Sequence, residues 1–201
     1  MRVLVACEFS GIVREAFKAK GHDAWSCDLL PTEIPGQHIQ GDVLEILDNG
    51  WDLMIAHPPC TRLTNSGVRW LDERDLWDDM QRDAHFFLTL LSVNIPKIAV
   101  ENPIPHKYAR DVIGKYDQII QPWQFGHPET KATCLWLKNL PKLQPTNIVE
   151  GREQRIWKAS PGPDRWKERS RTFPGIAAAM AEQWGRWSRK DKDMSETKEE
   201  K

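Results

Sequence analysis

Asp52-Leu53-Met54-Ile55-Ala56-His57-Pro58-Pro59-Cys60-Thr61 decides the fold. Four apolar residues in a row, flanked by an acid and a Pro-Pro pair, predict a short buried strand over 52–56. Cys60 follows at its carboxyl end. A second apolar run, Ile98-Ala99-Val100, is followed by Glu101-Asn102-Pro103, 41 positions beyond Cys60. Two strands thus each deliver one reactive group, a thiol and a carboxylate, at the edge where open α/β sheets do chemistry.

Working outward, Val3–Cys7 predicts a first strand, with Glu8-Phe9-Ser10-Gly11 as a turn. Ile12, Val13, Ala16, Phe17 and Ala19 recur at helical spacing, and Gly21 stands where a helix stop belongs. Further strands are expected at 23–28, 38–42, 97–100, 118–121 and 132–137. Helices are expected at 12–20, 76–93, 106–113 and 174–187, with a helical turn near 44–47. Loops are expected over 61–75 and 139–172. Strands alternating with helices imply an α/β fold with a doubly wound, mostly parallel, seven-stranded sheet of Rossmann-like form. One domain over 1–187 is expected, with an irregular insert at 139–172 and a charged, disordered tail at 188–201.

Net charge is −1, so no global basic field points to nucleic acid. Residues 150–172 nevertheless hold seven Lys/Arg against four Asp/Glu. That local excess suits phosphates or a solvated loop. The ten tryptophans suit core and lid packing, and a tryptophan face also stacks on a nucleobase. The four cysteines have no C-x-x-C or zinc-like spacing, which argues for free thiols in a reducing compartment and for no metal. No secretory leader or bilayer-length apolar run is legible, so a cytoplasmic protein is expected.

The turn after the first strand carries one glycine, where a dinucleotide fingerprint has three. A pyrophosphate cradle is thereby disfavoured, and a ligand without phosphates demands less of the turn. Asp28 and Asp42 end the second and third strands. Asp28 is placed for ribose hydroxyls, Asp42 for an adenine or an amino group; each also suits a helix cap. Cys60 needs a proton acceptor or a lowered pKa to act as a nucleophile. Glu101, after a buried strand, is expected to be raised by desolvation and to carry a proton near neutrality. Cys7, Cys27 and Cys134 read as structural thiols.

These residues together resemble the DNA (cytosine-5) methyltransferases. Phe9-Ser10-Gly11 is similar to the family's first motif, whose phenylalanine stacks on the adenine of S-adenosyl-L-methionine. Asp28 and Asp42 match its acids, Pro59-Cys60 its Pro-Cys nucleophile, and Glu101-Asn102 its Glu-Asn motif. Thr64 and Ser66-Gly67 stand where its nucleophile loop carries serines and glycine. Phe125-Gly126-His127-Pro128-Glu129 resembles its Tyr-Gly-x-Pro-Gln segment, and Pro174–Gly185 weakly resembles its closing helix. The agreement runs from residue 3 to about 138 and is strongest with short phage and prophage members.

The chain also departs from the family. Val13 and Arg14 replace later glycines of the first motif. Glu129-Thr130-Lys131-Ala132-Thr133 replaces Gln-x-Arg-x-Arg, leaving Lys131, Arg62 or Arg171 to supply the missing cation. Some 30 residues stand in place of a large target-recognition domain. The resemblance implies S-adenosyl-L-methionine as cofactor and DNA as partner, either single-stranded or a duplex with a flipped base. It implies methyl transfer to cytosine C5 with relaxed specificity, through a Cys60 adduct at C6 steadied by Glu101. Phe9, Ser10, Gly11, Asp28, Asp42 and Pro59 would hold the cofactor; Asn102, Arg62, Thr64, Ser66, Lys131 and Arg171 would meet the substrate. Rival expectations are transfer to a free pyrimidine nucleotide, transfer to an exocyclic amine, and a non-catalytic binder of DNA or protein that keeps the fold.

Overall fold

The computed structural model describes residues 1–158 and 162–186. Seven strands form one sheet: β1 (Arg2–Ala6), β2 (Asp23–Asp28), β3 (His38–Gln40), β4 (Leu53–Ala56), β5 (Lys97–Pro103), β6 (Gln118–Ile120) and β7 (Thr133–Lys138). Their order is β3-β2-β1-β4-β5-β7-β6, all parallel except β7, which runs antiparallel to both neighbours. After β3 the chain returns past β1 to lay down β4. The strand order therefore reverses between β1 and β4, and a crevice opens at their carboxyl ends.

Seven α-helices accompany the sheet: α1 (Ile12–Ala19), α2 (Arg69–Glu73), α3 (Trp77–Ser92), α4 (Lys107–Ile113), α5 (Arg155–Lys158), α6 (Arg165–Ser170) and α7 (Pro174–Trp184). Alternation along each strand builds two cores. Leu4, Met54, Ile98 and Val100 face Met80, Ala84 and Phe87 of α3 and Ile113 of α4. Val3, Val5, Leu53, Ile55 and Ala99 face Phe17 of α1 and Ile176, Met180 and Trp184 of α7. Both faces are covered, so β1 and β4 read as continuous apolar runs. Helix α1 ends in a Schellman motif: Gly21 N–H donates to Lys18 O and His22 N–H to Phe17 O, with Gly21 at φ +80°.

Four expectations are corrected. The third strand stops at Gln40, so Asp42 does not end it but caps the turn over Val43–Ile46. The 61–75 segment contains α2, and the 139–172 segment contains α5 and α6; all three helices are too short to show a 3.6-residue period in sequence. The fifth strand runs on to Pro103, because antiparallel β7 pairs Glu101 with Leu135 and Asn102 with Cys134. Glu101 thus sits within the ladder, not after it. Helix α7 closes at Trp184, and the 188–201 tail expected to be disordered lies outside the described residues.

Candidate active site

Sheet register places the two reactive segments side by side. Ala6 pairs with Ala56, and Ala56 with Val100. The next residues, His57 just past β4 and Glu101 within β5, therefore come abreast. His57 Nδ1 lies 2.9 Å from Glu101 Oε1, with side chains 9% and 17% exposed. Both ring nitrogens of His57 are buried, and neither makes a well-aligned hydrogen bond, so the approach to Glu101 is an ion-pair contact. This pair corrects the expectation of a protonated Glu101. Burial alone would raise Glu101, but the charge and close approach of His57 and the charge of Lys131 outweigh it and hold the carboxyl below its ordinary range. His57 shifts the other way: burial disfavours its charge, yet the Glu101 carboxylate and then Glu8 raise it above an ordinary histidine.

Cys60 and Glu101 line a common cavity of about 80 Å³ together with His57, Glu8, Lys131 and Arg169. Burial and the nearby Glu101 charge raise Cys60, while Lys131 and Arg169 oppose the rise, so the group rests as a thiol. Cys60 opens a turn, its carbonyl accepting from Leu63 N–H. The loop beyond is held by Gly67, where a Cβ would stand 1.9 Å from the Thr61 carbonyl oxygen. Thr64 and Ser66 hydroxyls bond each other at 2.9 Å on its inner side.

The same walls open into a larger cleft of about 710 Å³ that reaches Asp28 and Asp42. Phe9, Pro59, Thr64, Ser66 and Lys131 also line it. Each acid uses its Oδ1 to cap the turn it begins: Asp28 accepts from Leu30 N–H at 2.9 Å and Asp42 from Leu44 N–H at 3.0 Å. Burial raises Asp28, against its backbone hydrogen bonds. Both acids therefore cap a turn and line the cleft at once.

The remaining candidates divide. Lys131 stands in the site, its Nζ donating to Arg171 O at 3.0 Å, and burial lowers it against the pull of Glu101 and Cys60. Arg171 lines the small cavity, but its guanidinium grips Glu33 by two bonds, 2.9 and 2.6 Å. Arg62 does not stand in for the missing arginine: it pairs with Asp83 (3.1 Å) and Asp79 (3.4 Å) on α3 and lines neither cavity. Asn102 is fully buried, donates to Pro103 O at 2.6 Å and also lines neither cavity. Ser10 lines the small cavity and donates to Glu8 at 3.1 Å, while Gly11 lines neither cavity and serves the backbone at φ +75°.

Residues missed in sequence carry much of the site. Arg169 of α6, with Trp166, brings the 139–172 segment over the cleft; Phe9 and Trp166 ring centroids are 5.6 Å apart. Glu8 takes the amino end of α1, accepting from Val13 N–H at 2.7 Å, Arg14 N–H at 3.3 Å and Ser10 Oγ–H. Arg14, fully buried, ties Ser26, Thr32 and the Ile34 carbonyl together and so shapes the cleft rim. The two residues that break the glycine motif thus have work of their own. The legible signal for His57 was positional: two apolar runs, Leu53–Ala56 and Ile98-Ala99-Val100, each followed at once by a titratable residue. The other two cysteines that line the cleft are inert thiols: burial, then Asp28, pushes Cys27 up to about 11, and Cys7 is raised further by the same causes.

This sheet, with the site at its reversal point, defines a Rossmann-like α/β fold. No protein-family model and no curated protein matches the chain. Among solved structures, it is similar to a candidate DNA modification methyltransferase encoded within a prophage of E. coli, at TM-score 0.51 and 16% identity, over 80% of this chain and 55% of that one. It also aligns with the Entamoeba histolytica methyltransferase EhMeth at TM-score 0.47 and 14% identity, over 81% and 60%. The chain spans a little over half the length of these structures. No cluster of three or more His, Cys, Asp or Glu among the described residues could hold a metal ion, and no described helix is long and apolar enough to cross a membrane.

Proposed function

We propose that the protein transfers a methyl group from S-adenosyl-L-methionine to C5 of cytosine in DNA, as a compact, phage-type enzyme acting in a bacterial cytoplasm. One observation carries this reading: Cys60 and Glu101 line one cavity at the sheet's reversal point, and that cavity opens into a cleft ending at Asp28 and Asp42. The similarity to a prophage-encoded candidate DNA modification methyltransferase supports it.

The cleft fits the adenosine part of the cofactor: it has room, an aromatic wall at Phe9 and two acids for hydroxyl or amino groups. The cofactor's carboxylate finds no place on α1, whose first N–H groups already serve Glu8. Bound there, the cofactor supplies an electrophilic methyl carbon. Cys60 loses its proton and adds to C6. Glu101 contacts N3 and the exocyclic amine and steadies the charge that builds on the ring. Loss of the C5 proton then re-forms the double bond and expels Cys60. The target must leave the stack, at a cost of a few kcal/mol, less when single-stranded. Residues 139–172 stand where a recognition domain would, within a single domain over 1–187, so relaxed specificity follows.

The test is incubation with tritiated S-adenosyl-L-methionine and duplex DNA, single-stranded DNA or dCMP. Label in 5-methylcytosine and a stable adduct with 5-fluorocytosine DNA are expected. Label on N4 or N6 would overturn the covalent route. A non-catalytic relative of the fold is favoured by Trp166 seated against Phe9; failure to bind the cofactor in calorimetry selects it.

A further inference from the structure

We propose that His57 and Glu101 form a one-proton acid in which His57 carries the proton that Glu101 presents to the ring nitrogen of the bound base. The inference rests on the cytosine reading above and deepens it. Three observations carry it. His57 Nδ1 and Glu101 Oε1 are 2.9 Å apart at abreast positions of paired strands. The imidazole is nine-tenths buried and neither ring nitrogen makes a well-aligned hydrogen bond, so the close approach of Glu101 Oε1 to Nδ1 is its one charged contact within 4 Å among the described residues. Both side chains line the cavity that holds Cys60.

An ionised Glu101 cannot donate to N3 by itself. With His57 behind it, the balance closes. The Cys60 thiol gives its proton to solvent water. The S–C6 bond forms, and the C5–C6 π pair moves into the ring. N3 then takes a proton from a Glu101 oxygen as that carboxylate takes the Nδ1 proton of His57, which ends neutral. Elimination of Cys60 returns the proton along the same path. The groups around the imidazole favour its charge: Glu101 from β5, Glu8 after β1 and Asp28 at the end of β2 are acids. Lys131, before β7, opposes it, and Cys60 lies across the same cavity. His57 is a positioning residue for Glu101, not a group placed on the substrate.

The deciding experiment is an NMR titration of the full chain labelled with ¹⁵N-histidine. His57 should remain protonated above the pH at which an ordinary histidine has lost its charge, about 6.5, and Glu101→Gln should bring it down. A His57 neutral at pH 7, or one unmoved by Glu101→Gln, overturns the proposal. The kinetic arm compares His57→Asn and His57→Gln on single-stranded DNA across pH. Asn keeps an N–H near the Nδ1 position but has no proton to give. Wild type should decline in activity at alkaline pH as His57 loses its proton; both variants should lose roughly 100-fold in kcat, keep KM for DNA, and lack that decline. Full activity and an unchanged pH profile in His57→Asn would mean a merely structural histidine. If wild type methylates nothing, the cytosine reading falls, while the titration still decides whether His57 holds the proton.

Discussion

The two ends of the cleft are built on different physics. At one end Asp28 closes β2, half-buried, and Asp42 lies exposed two residues past β3, each capping its own turn. At the other end His57, Glu101, Lys131 and Cys60 are packed into an interior where every charge is felt by its neighbours. Asp42 stands in water, whereas Asp28 is half-buried and still feels His38 and His57, so the coupling at this end is weaker and not absent. Burial couples the second set, so removing one member changes the others. The difference suits the two tasks: holding polar groups of a ligand needs independent acceptors, whereas moving protons needs linked ones.

The largest expected effect lies at the coupled end. Cys60→Ser should reduce methyl transfer by roughly 10⁴-fold or more, with cofactor binding nearly unchanged in calorimetry. Retained turnover would break the covalent account and leave the two ends with no division of labour.

Next comes the ion pair itself. Glu101→Gln leaves a buried imidazole facing an amide and should cost about 3 kcal/mol in denaturant unfolding. The pH dependence sharpens the point. His57 is raised in the folded chain, so its contribution is fully present below the unfolded value, about 6.5, and is lost as pH rises through the folded one. Glu101 is lowered, so its contribution is present above the unfolded value, about 4.3, and is lost as pH falls through the folded one. The stability difference between wild type and Glu101→Gln should therefore be widest near pH 5–6. A difference independent of pH would show that the two groups do not share charge.

How far this contrast was legible follows from the same physics. Val3–Ala6 and Leu53–Ala56 announce buried strands because both faces are covered. Cys60 and Glu101 stood out because they follow such runs. The ionised state of Glu101 was hidden, since it depends on a partner from the neighbouring strand and not on local composition. The end of β5 was hidden for a related reason: polar Glu101 and Asn102 look like a strand terminus, yet β7 supplies their ladder partners. Arg14 looked like a lost glycine, although its buried guanidinium has three partners in the β2–β3 region. Helices α5 and α6 take their place from packing over the cleft, which no short periodicity announces.

At the solvated end, single losses should be modest and separable. Asp28→Ala and Asp42→Ala should each weaken cofactor binding by about tenfold, as loss of one hydrogen bond to a charged group does. Their effects should add in the double variant, as they do for independent sites. Asp42→Ala also removes a cap from Val43–Ile46, costing about 1 kcal/mol in stability. Strong non-additivity would place both acids in a coupled network and erase the distinction between the two ends.

The smallest effect belongs to the covering segment. Trp166 is half exposed and meets Phe9 at 5.6 Å with rings tilted by 55°. Such a pair contributes about 1 kcal/mol beyond its buried area. Trp166→Ala should therefore lower unfolding stability by no more than about 1–2 kcal/mol. Phe9 would remain as the aromatic wall, now open to an adenine ring, so cofactor affinity should hold or rise while the core is undisturbed. A marked fall in affinity would instead make Trp166 part of the ligand's own wall. The covering segment would then belong to the binding end of the cleft, and the physics of that end would no longer be that of two solvated acids alone.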